Sequence, residues 1–334
     1  MIGFTRGRLK VALATVAMMA AQPALAPALS PAWAQGDYPS RPIRLIVGFA
    51  AGGGNDLFAR LVGQKMSELL GQTVVIENKA GAGGRLAIDF VKGQPADGYT
   101  ITVAASGQMA IAAAIYPKLG YHPTRDFVPL TMIASFPLIL AGPMDDSIKS
   151  VKDLVAYSKA HPEKSNYATS SPAFTITTEL FKLKTGMPGQ MIPYKSTNEM
   201  MLSIAAGQTL FGFADPPIVI PLAQGGKVRA LAMTGPSRLP ELPDVPTVAE
   251  AGFGNIEIRL QWIGAFATAG TPPATVRMLE AAMRQVLADP AVRDKLKAVA
   301  YAPDGRSGEE FRRLIDADIK AYADVVRAAN LKFD

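Results

Sequence analysis

Cysteine is absent from the 334 residues. That excludes disulfide scaffolds, thiolate zinc sites, iron–sulfur clusters and thiol nucleophiles. Histidine is almost absent: His122 and His161 are the two, and each precedes a proline in a turn-like stretch. A histidine metal site or a Ser-His-Asp triad would have to use one of them, whereas a turn before proline is the ordinary reading. Charged residues make up 19% and aromatics 7% of the chain, and no run of Lys and Arg exceeds the pair Arg312, Arg313. The footprint of a nucleic-acid binder is missing. No G-x-S-x-G elbow, H-E-x-x-H helix or calcium-loop pattern occurs. Nothing points to a carboxylate pair for glycoside hydrolysis.

What is present is apolar and punctuated: 49% hydrophobic residues, 30 glycines and 26 prolines. At roughly 150 residues per domain, this length suggests two globular domains with real cores. The composition is too apolar for disorder. The formal net charge is +6, but Arg6, Arg8 and Lys10 sit in an N-terminal stretch that holds no acid.

That stretch reads as a targeting segment. A short basic start leads into an apolar run from Val11 to Ala21, and a Pro/Ala-rich stretch ends in Ala32-Trp33-Ala34. Together these are the parts of a secretory signal peptide cleaved after Ala34, so 1–34 is assigned as leader. The run is well short of the roughly 20 residues a membrane span needs, and Gln22 and Pro23 interrupt it. The mature chain is expected to be soluble and periplasmic.

Strand and helix patterns alternate from there. Residues 42–49 form a β-rich run, and 55–70 carry helical spacing that stops at Gly71. A second strand at 73–77, a glycine turn, a helix to about 94 and a strand at 99–104 follow. Short connections between such elements argue for a parallel α/β sheet. The second half repeats this grammar, with strands near 166–169, 190–193, 211–214 and 228–234. Ser150 with Asp153, Thr247 with Glu250 and Ser307 with Glu310 read as helix caps. The tail, 272–330, reads as helical with a break at Asp289-Pro290.

Two apolar runs, 127–142 and 256–267, exceed an ordinary strand of about five or six residues. They are expected to be two crossings between two lobes. The lobes would then be 37–139 with 262–334, and 140–261. Trp262, on the second run, suits hinge packing better than ligand stacking.

The sharpest local motif is Phe49-Ala50-Ala51-Gly52-Gly53-Gly54-Asn55-Asp56, a glycine loop between a strand and a helix. Backbone N–H groups at the positive end of a helix dipole suit an anion. Neither the Walker nor the dinucleotide spacing fits, and a plain turn with an Asn55 cap is the bland alternative. Asp56 would repel an adjacent anion, so a carboxylate is expected over the glycines or through water. A second such loop carries Gly83 and Gly84, and Ser106-Gly107-Gln108 follows the third strand. Ligands of open α/β sheets bind beyond the carboxyl ends of the strands, where these loops converge. From the second half, Ser170, Ser171 and Thr175 follow one strand and Asp215 another; each could equally cap a helix or make a turn.

These residues resemble the Bug family, the extracytoplasmic solute receptors associated with tripartite tricarboxylate transporters. The likeness is carried by YPSRPIRLIVGFAAGGGNDLFAR (38–60), ENKAGAGG (77–84) and PADGYT (95–100). It continues through IPYKS (192–196), GGKVRALAMTG (225–235), LPDVPTVAEAGF (242–253) and TPPATVRMLEAAMRQVLADPAVRDKL (271–296). The resemblance implies an α/β, two-lobed periplasmic-binding-protein fold of type II, with two crossing strands and a small carboxylate between the lobes. It implies that one carboxylate is held by the loops 49–56 and 81–84, partly through water, and that the second lobe sets selectivity. Membrane permease subunits would be the partners. A monomer without cofactor, metal or nucleic acid is expected.

This sequence departs from the family's pattern where selectivity should lie. The usual His and Asn after the third strand are replaced in Ser106-Gly107-Gln108-Met109-Ala110-Ile111-Ala112-Ala113. Pro172 and Phe174 stand in the loop after Tyr167, and Ala214 intervenes before Asp215. The less polar set favours an aromatic or apolar acid of benzoate or phthalate type. A sensor receptor for the same ligands, or a cleft hydrolase using Ser or Asp, are the alternative readings; the hydrolase would lack a placed base.

Overall fold

A computed structural model describes residues 38–328 other than 257. The assigned leader, 1–34, lies outside the described residues. The chain opens with β1 (Ile43–Val47), α1 (Gly54–Leu70), β2 (Val74–Asn78), α2 (Arg85–Lys92), β3 (Thr100–Ala105) and α3 (Ala112–Ile115). Next come β4 (Phe127–Phe136), β5 (Ile139–Gly142), α4 (Val151–Ala160), β6 (Asn166–Thr169), α5 (Pro172–Thr185) and β7 (Gln190–Pro193). Then follow α6 (Thr197–Ala205), β8 (Gly212–Ala214), α7 (Pro216–Gln224) and β9 (Arg229–Met233). The last elements are β10 (Gln261–Thr268), α8 (Pro273–Ala288), α9 (Pro290–Lys297), β11 (Ala302–Pro303) and α10 (Gly308–Ala328).

The caps form as their residue types dictate. Ser150 Oγ accepts from Asp153 N at 3.2 Å at the head of α4. Thr247 and Glu250 bond reciprocally at 2.8 and 3.1 Å. The tail differs from its helical reading, because β11 interrupts it and pairs with β4. This inserted strand brings Tyr301 into the interior.

Two layers of the same design emerge. In the larger sheet the order is β11-β4-β10-β3-β1-β2, with β1 parallel to β2 and β3 and with β10 antiparallel to β3 and β4. In the second layer β6 is parallel to β7, while β5 lies antiparallel to both β8 and β9. A parallel bridge between Tyr167 and Phe211, with Ala168 N donating to Phe211 O at 2.9 Å, joins β6 to the approach of β8. The second layer therefore runs β7-β6-β8-β5-β9, matching β2-β1-β3-β10-β4. In each layer one strand, β10 in the first and β5 in the second, lies antiparallel between two neighbours, and β11 adds a second reversed strand at the edge of the first. This is the mixed α/β, two-lobed type II architecture.

The two long apolar runs are not single strands. The first breaks at Pro137-Leu138 into β4 and β5, which belong to different sheets. Pro137 has no N–H to donate, and Leu138 N turns instead to Thr234 Oγ1 at 2.8 Å. Of the described residues in the second run, those of β10 form strand, and β10 follows β9 of the second layer in chain order. Trp262 is buried on β10 with its ring edge-to-face on Phe311 of α10, at 4.8 Å between centroids. Such a pair adds about 1 kcal/mol beyond burial. Its role is packing.

Candidate functional site

The parallel strands of both layers end at one crevice, and the helices that follow them begin there. Gly53, Gly84, Ser171, Ser196 and Asp215 hold the N-cap positions of α1, α2, α5, α6 and α7. Ser106 holds that of the helical turn Gly107–Ile111, which runs into α3. All six N-cap residues line one cavity of about 490 Å³. Helix N-termini carry unsatisfied N–H groups and partial positive charge, so the convergence of those of α1, α2, α5 and α6 makes an anion-receptive space, whereas α7 opens with Pro216 and Pro217, which have no N–H to offer. The same lining carries apolar side chains, Phe49, Phe136, Pro172, Phe174 and Ile218, with the ring of Tyr301.

Eleven of the residues singled out in the sequence are brought together in this wall: Phe49, Gly53, Gly54, Asn55, Gly83, Gly84, Ser106, Ser170, Ser171, Phe174 and Asp215. Of the other four, Asp56, Gln108 and Thr175 are buried outside the lining and Gly52 is exposed on the first glycine loop. Gly52 N donates to Asp56 Oδ2 at 2.9 Å, and the same oxygen accepts from Arg60 Nε at 2.9 Å. Asn78 Nδ2 donates to Asp56 Oδ1 at 2.9 Å. Burial opposes the charge on Asp56, but these donors outweigh it and hold the carboxyl below its ordinary range. Asp56 thus braces the loop, and its charge is answered by Arg60. Thr175 Oγ1 is 2.9 Å from Thr169 Oγ1 and braces the start of α5.

Gln108 is a prop. Its Oε1 accepts from Ala105 N at 2.7 Å, and its side chain fills the space under the second glycine loop. A Cβ on Gly84 would stand 2.0 Å from Gln108 Nε2, and Gly84 has φ 88°, so glycine is required there. The bland alternative of an Asn55 cap does not form: the N-cap of α1 is Gly53, which makes no side-chain cap bond. A Cβ on Gly53 would meet Ala50 O at 3.6 Å. At Gly54 it would meet the Tyr301 hydroxyl at 2.9 Å and Asp215 Oδ2 at 3.3 Å.

Several wall residues escaped the sequence reading. Tyr194, Lys195, Thr197 and Asn198 arrive on the turn from β7 into α6, where Ser196 Oγ accepts from Glu199 N at 3.2 Å. That Ser-x-x-Glu spacing was available as a capping signal. Gln261 Oε1 accepts from Ser106 Oγ at 2.6 Å, pinning the start of β10 to the end of β3. No spacing could have placed Tyr301, whose ring wedges between Phe58 and Phe136 with centroids at 4.5 and 4.2 Å. Both histidines lie outside the wall. Among the described residues no group of three or more His, Asp or Glu could hold a metal, and no helix is long and apolar enough to cross a membrane.

Comparison with known proteins agrees with this geometry. A sequence profile described as "Tripartite tricarboxylate transporter family receptor" matches residues 58–331. Protein BugT of Bordetella pertussis (strain Tohama I) is 32% identical over 298 residues, covering 88% of this chain and 91% of that protein. The structure of R. palustris Rpa4515 with adipate superposes with a TM-score of 0.84 at 33% identity, covering 89% of this chain and 99% of that one. MatC (Rpa3494) from Rhodopseudomonas palustris with bound malate gives 0.81 at 30% identity, covering 86% of this chain and all 100% of that one.

Proposed function

The chain belongs to the tripartite tricarboxylate transporter family of receptors, the Bug-type solute-binding proteins, and we propose that it captures a small aromatic or apolar carboxylate and delivers it to membrane permease subunits. The observation that carries this reading is the meeting of four helix N-termini, those of α1, α2, α5 and α6, with apolar side chains in one cavity. A carboxylate seats where the amides of α1 and the second glycine loop face it, and the remainder of the ligand lies against Phe174, Pro172 and Phe136. Apolar area buried there is worth on the order of 25 cal/mol per Å², which a more polar ligand body forgoes. Adipate and malate, named for the two relatives, share the carboxylate and differ in the body, which is where the walls set selectivity.

The lobes we propose are 37–139 with 262–334, and 140–261, closing on the ligand as a monomer in the periplasm. Capture without chemistry is the reading, in keeping with the receptor family to which the chain belongs. Native mass spectrometry of gently purified protein tests it, together with a thermal-shift screen of benzoate, phthalate, adipate, citrate and glutamate. A co-purified or stabilising aromatic acid supports the proposal. Stabilisation by citrate or glutamate alone removes the aromatic preference, and stabilisation by no carboxylate removes the carboxylate reading.

A further inference from the structure

Asp215 heads α7, whose first two residues, Pro216 and Pro217, have no N–H, so its side chain makes no capping bond. Among the described residues its Oδ2 receives the Tyr301 hydroxyl, at 3.4 Å, and its Oδ1 is covered and has no hydrogen-bond partner. An ionised carboxylate can accept about four hydrogen bonds, so this one is poorly supplied. The carboxyl also stands against the first turn of α1, since a Cβ on Gly54 would lie 3.3 Å from Oδ2. A ligand carboxylate held by that turn would therefore meet a second, under-solvated carboxylate. Two such groups in contact do not both ionise; they hold one proton between them.

We propose that Asp215 couples capture to a proton: as a ligand carboxylate seats over Gly54, one proton from solvent is retained between it and the Asp215 carboxyl, which thereby donates to the ligand. The inference rests on the carboxylate-receptor reading above. The surroundings of Asp215 favour it. Burial already raises the carboxyl to about 6, against the smaller opposing effects of its own N–H and the Tyr301 hydroxyl. An arriving anion raises it further. Tyr301 is held well above the ordinary tyrosine range by burial and by Asp215, so it stays a neutral donor. From α1, Gly54 and Asn55 carry no charge and Asp56 is turned to Arg60; from β4, Phe136 is apolar. On α7 itself, Pro216, Pro217 and Ile218 are uncharged. Lys195, on the turn into α6, is the other charged side chain of the wall.

The sign follows from linkage. Below the free carboxyl's value of about 6 the proton is already present and affinity is flat. Above it, each ligand bound must draw in a proton, so affinity falls by up to about tenfold per pH unit. Calorimetric titration with benzoate and with adipate, in PIPES and in Tris at matched pH from about 6 to about 8, reads the protons exchanged. The expected result is uptake approaching one proton per ligand above neutrality, with Kd rising with pH. Asp215→Asn should exchange no proton, give a flat profile and bind more tightly than wild type at the alkaline end. Tyr301→Phe, which keeps the ring and removes a donor to the carboxylate, should move the wild-type profile to higher pH. Buffer-independent heats with a flat wild-type Kd overturn the inference, as does proton uptake that persists in Asp215→Asn. If neither acid binds wild type at any pH, the carboxylate reading fails and this inference with it. If the acids bind without proton exchange, only this inference fails.

Discussion

Arg259 Nε donates to Asp318 Oδ1 at 2.5 Å, tying the segment that crosses between the two sheets to the long helix α10. The other oxygen of Asp318 accepts from Trp262 Nε1 at 2.7 Å, so one buried carboxylate holds both the crossing and the first turns of β10. Asp318→Ala should lower unfolding stability by about 3 kcal/mol, because it leaves the buried Trp262 N–H unpaired and Arg259 without its partner. Urea unfolding checks this. A loss below about 1 kcal/mol would mean that the crossing is held by packing alone.

Asp215 should make stability depend on pH in the direction opposite to an ordinary salt-bridged acid. Its carboxyl is raised from 3.8 to about 6 in the folded chain, so folding favours the protonated form. That stability is fully present at low pH and is lost as pH rises through about 6. Asp215→Asn removes the penalty and should be more stable than wild type by about 3 kcal/mol at alkaline pH, with the difference vanishing in acid. Thermal unfolding of both proteins across that range measures it.

The glycine loop offers a contrast between neighbours. Gly54→Val drives a side chain into the Tyr301 hydroxyl and Asp215, and should weaken every carboxylate by at least about 100-fold. Gly53 has φ −81° and open space around it, so Gly53→Val should cost less than about tenfold. Titrating both variants with one ligand tests the pair. Equal losses would place the anion elsewhere on the loop.

Phe174 lines the cavity with its ring largely buried. Phe174→Ala should weaken benzoate by roughly tenfold, corresponding to about 50 Å² of lost apolar contact, and should leave adipate nearly unchanged. An equal effect on both acids would make Phe174 structural.

Much of this molecule was legible in its residues because local chemistry dominates there. The glycine stops, the Ser150, Thr247 and Ser307 caps and the alternation of apolar runs each act within a few residues, and the elements form where they say. The loops after β1, β2 and β3 could be placed in one crevice because parallel strands deliver their ends to the same edge. What escaped was decided by distant contact. Gln108 looked like a ligand group from its position after β3, but the tight approach of Gly84 claims its side chain. Asp56 looked exposed to the anion, but Arg60 and Asn78 take it. Tyr301 reaches the cavity only because β11 pairs with β4 from the far end of the chain, and no local spacing encodes that.

The central claim is that a carboxylate is captured over the first turn of α1. Calorimetric titration of wild type and Gly54→Val with benzoate tests it most directly. The account predicts saturable one-to-one binding to wild type that is lost in the variant while its circular dichroism remains that of a folded protein. Undiminished binding to a folded Gly54→Val protein would contradict it.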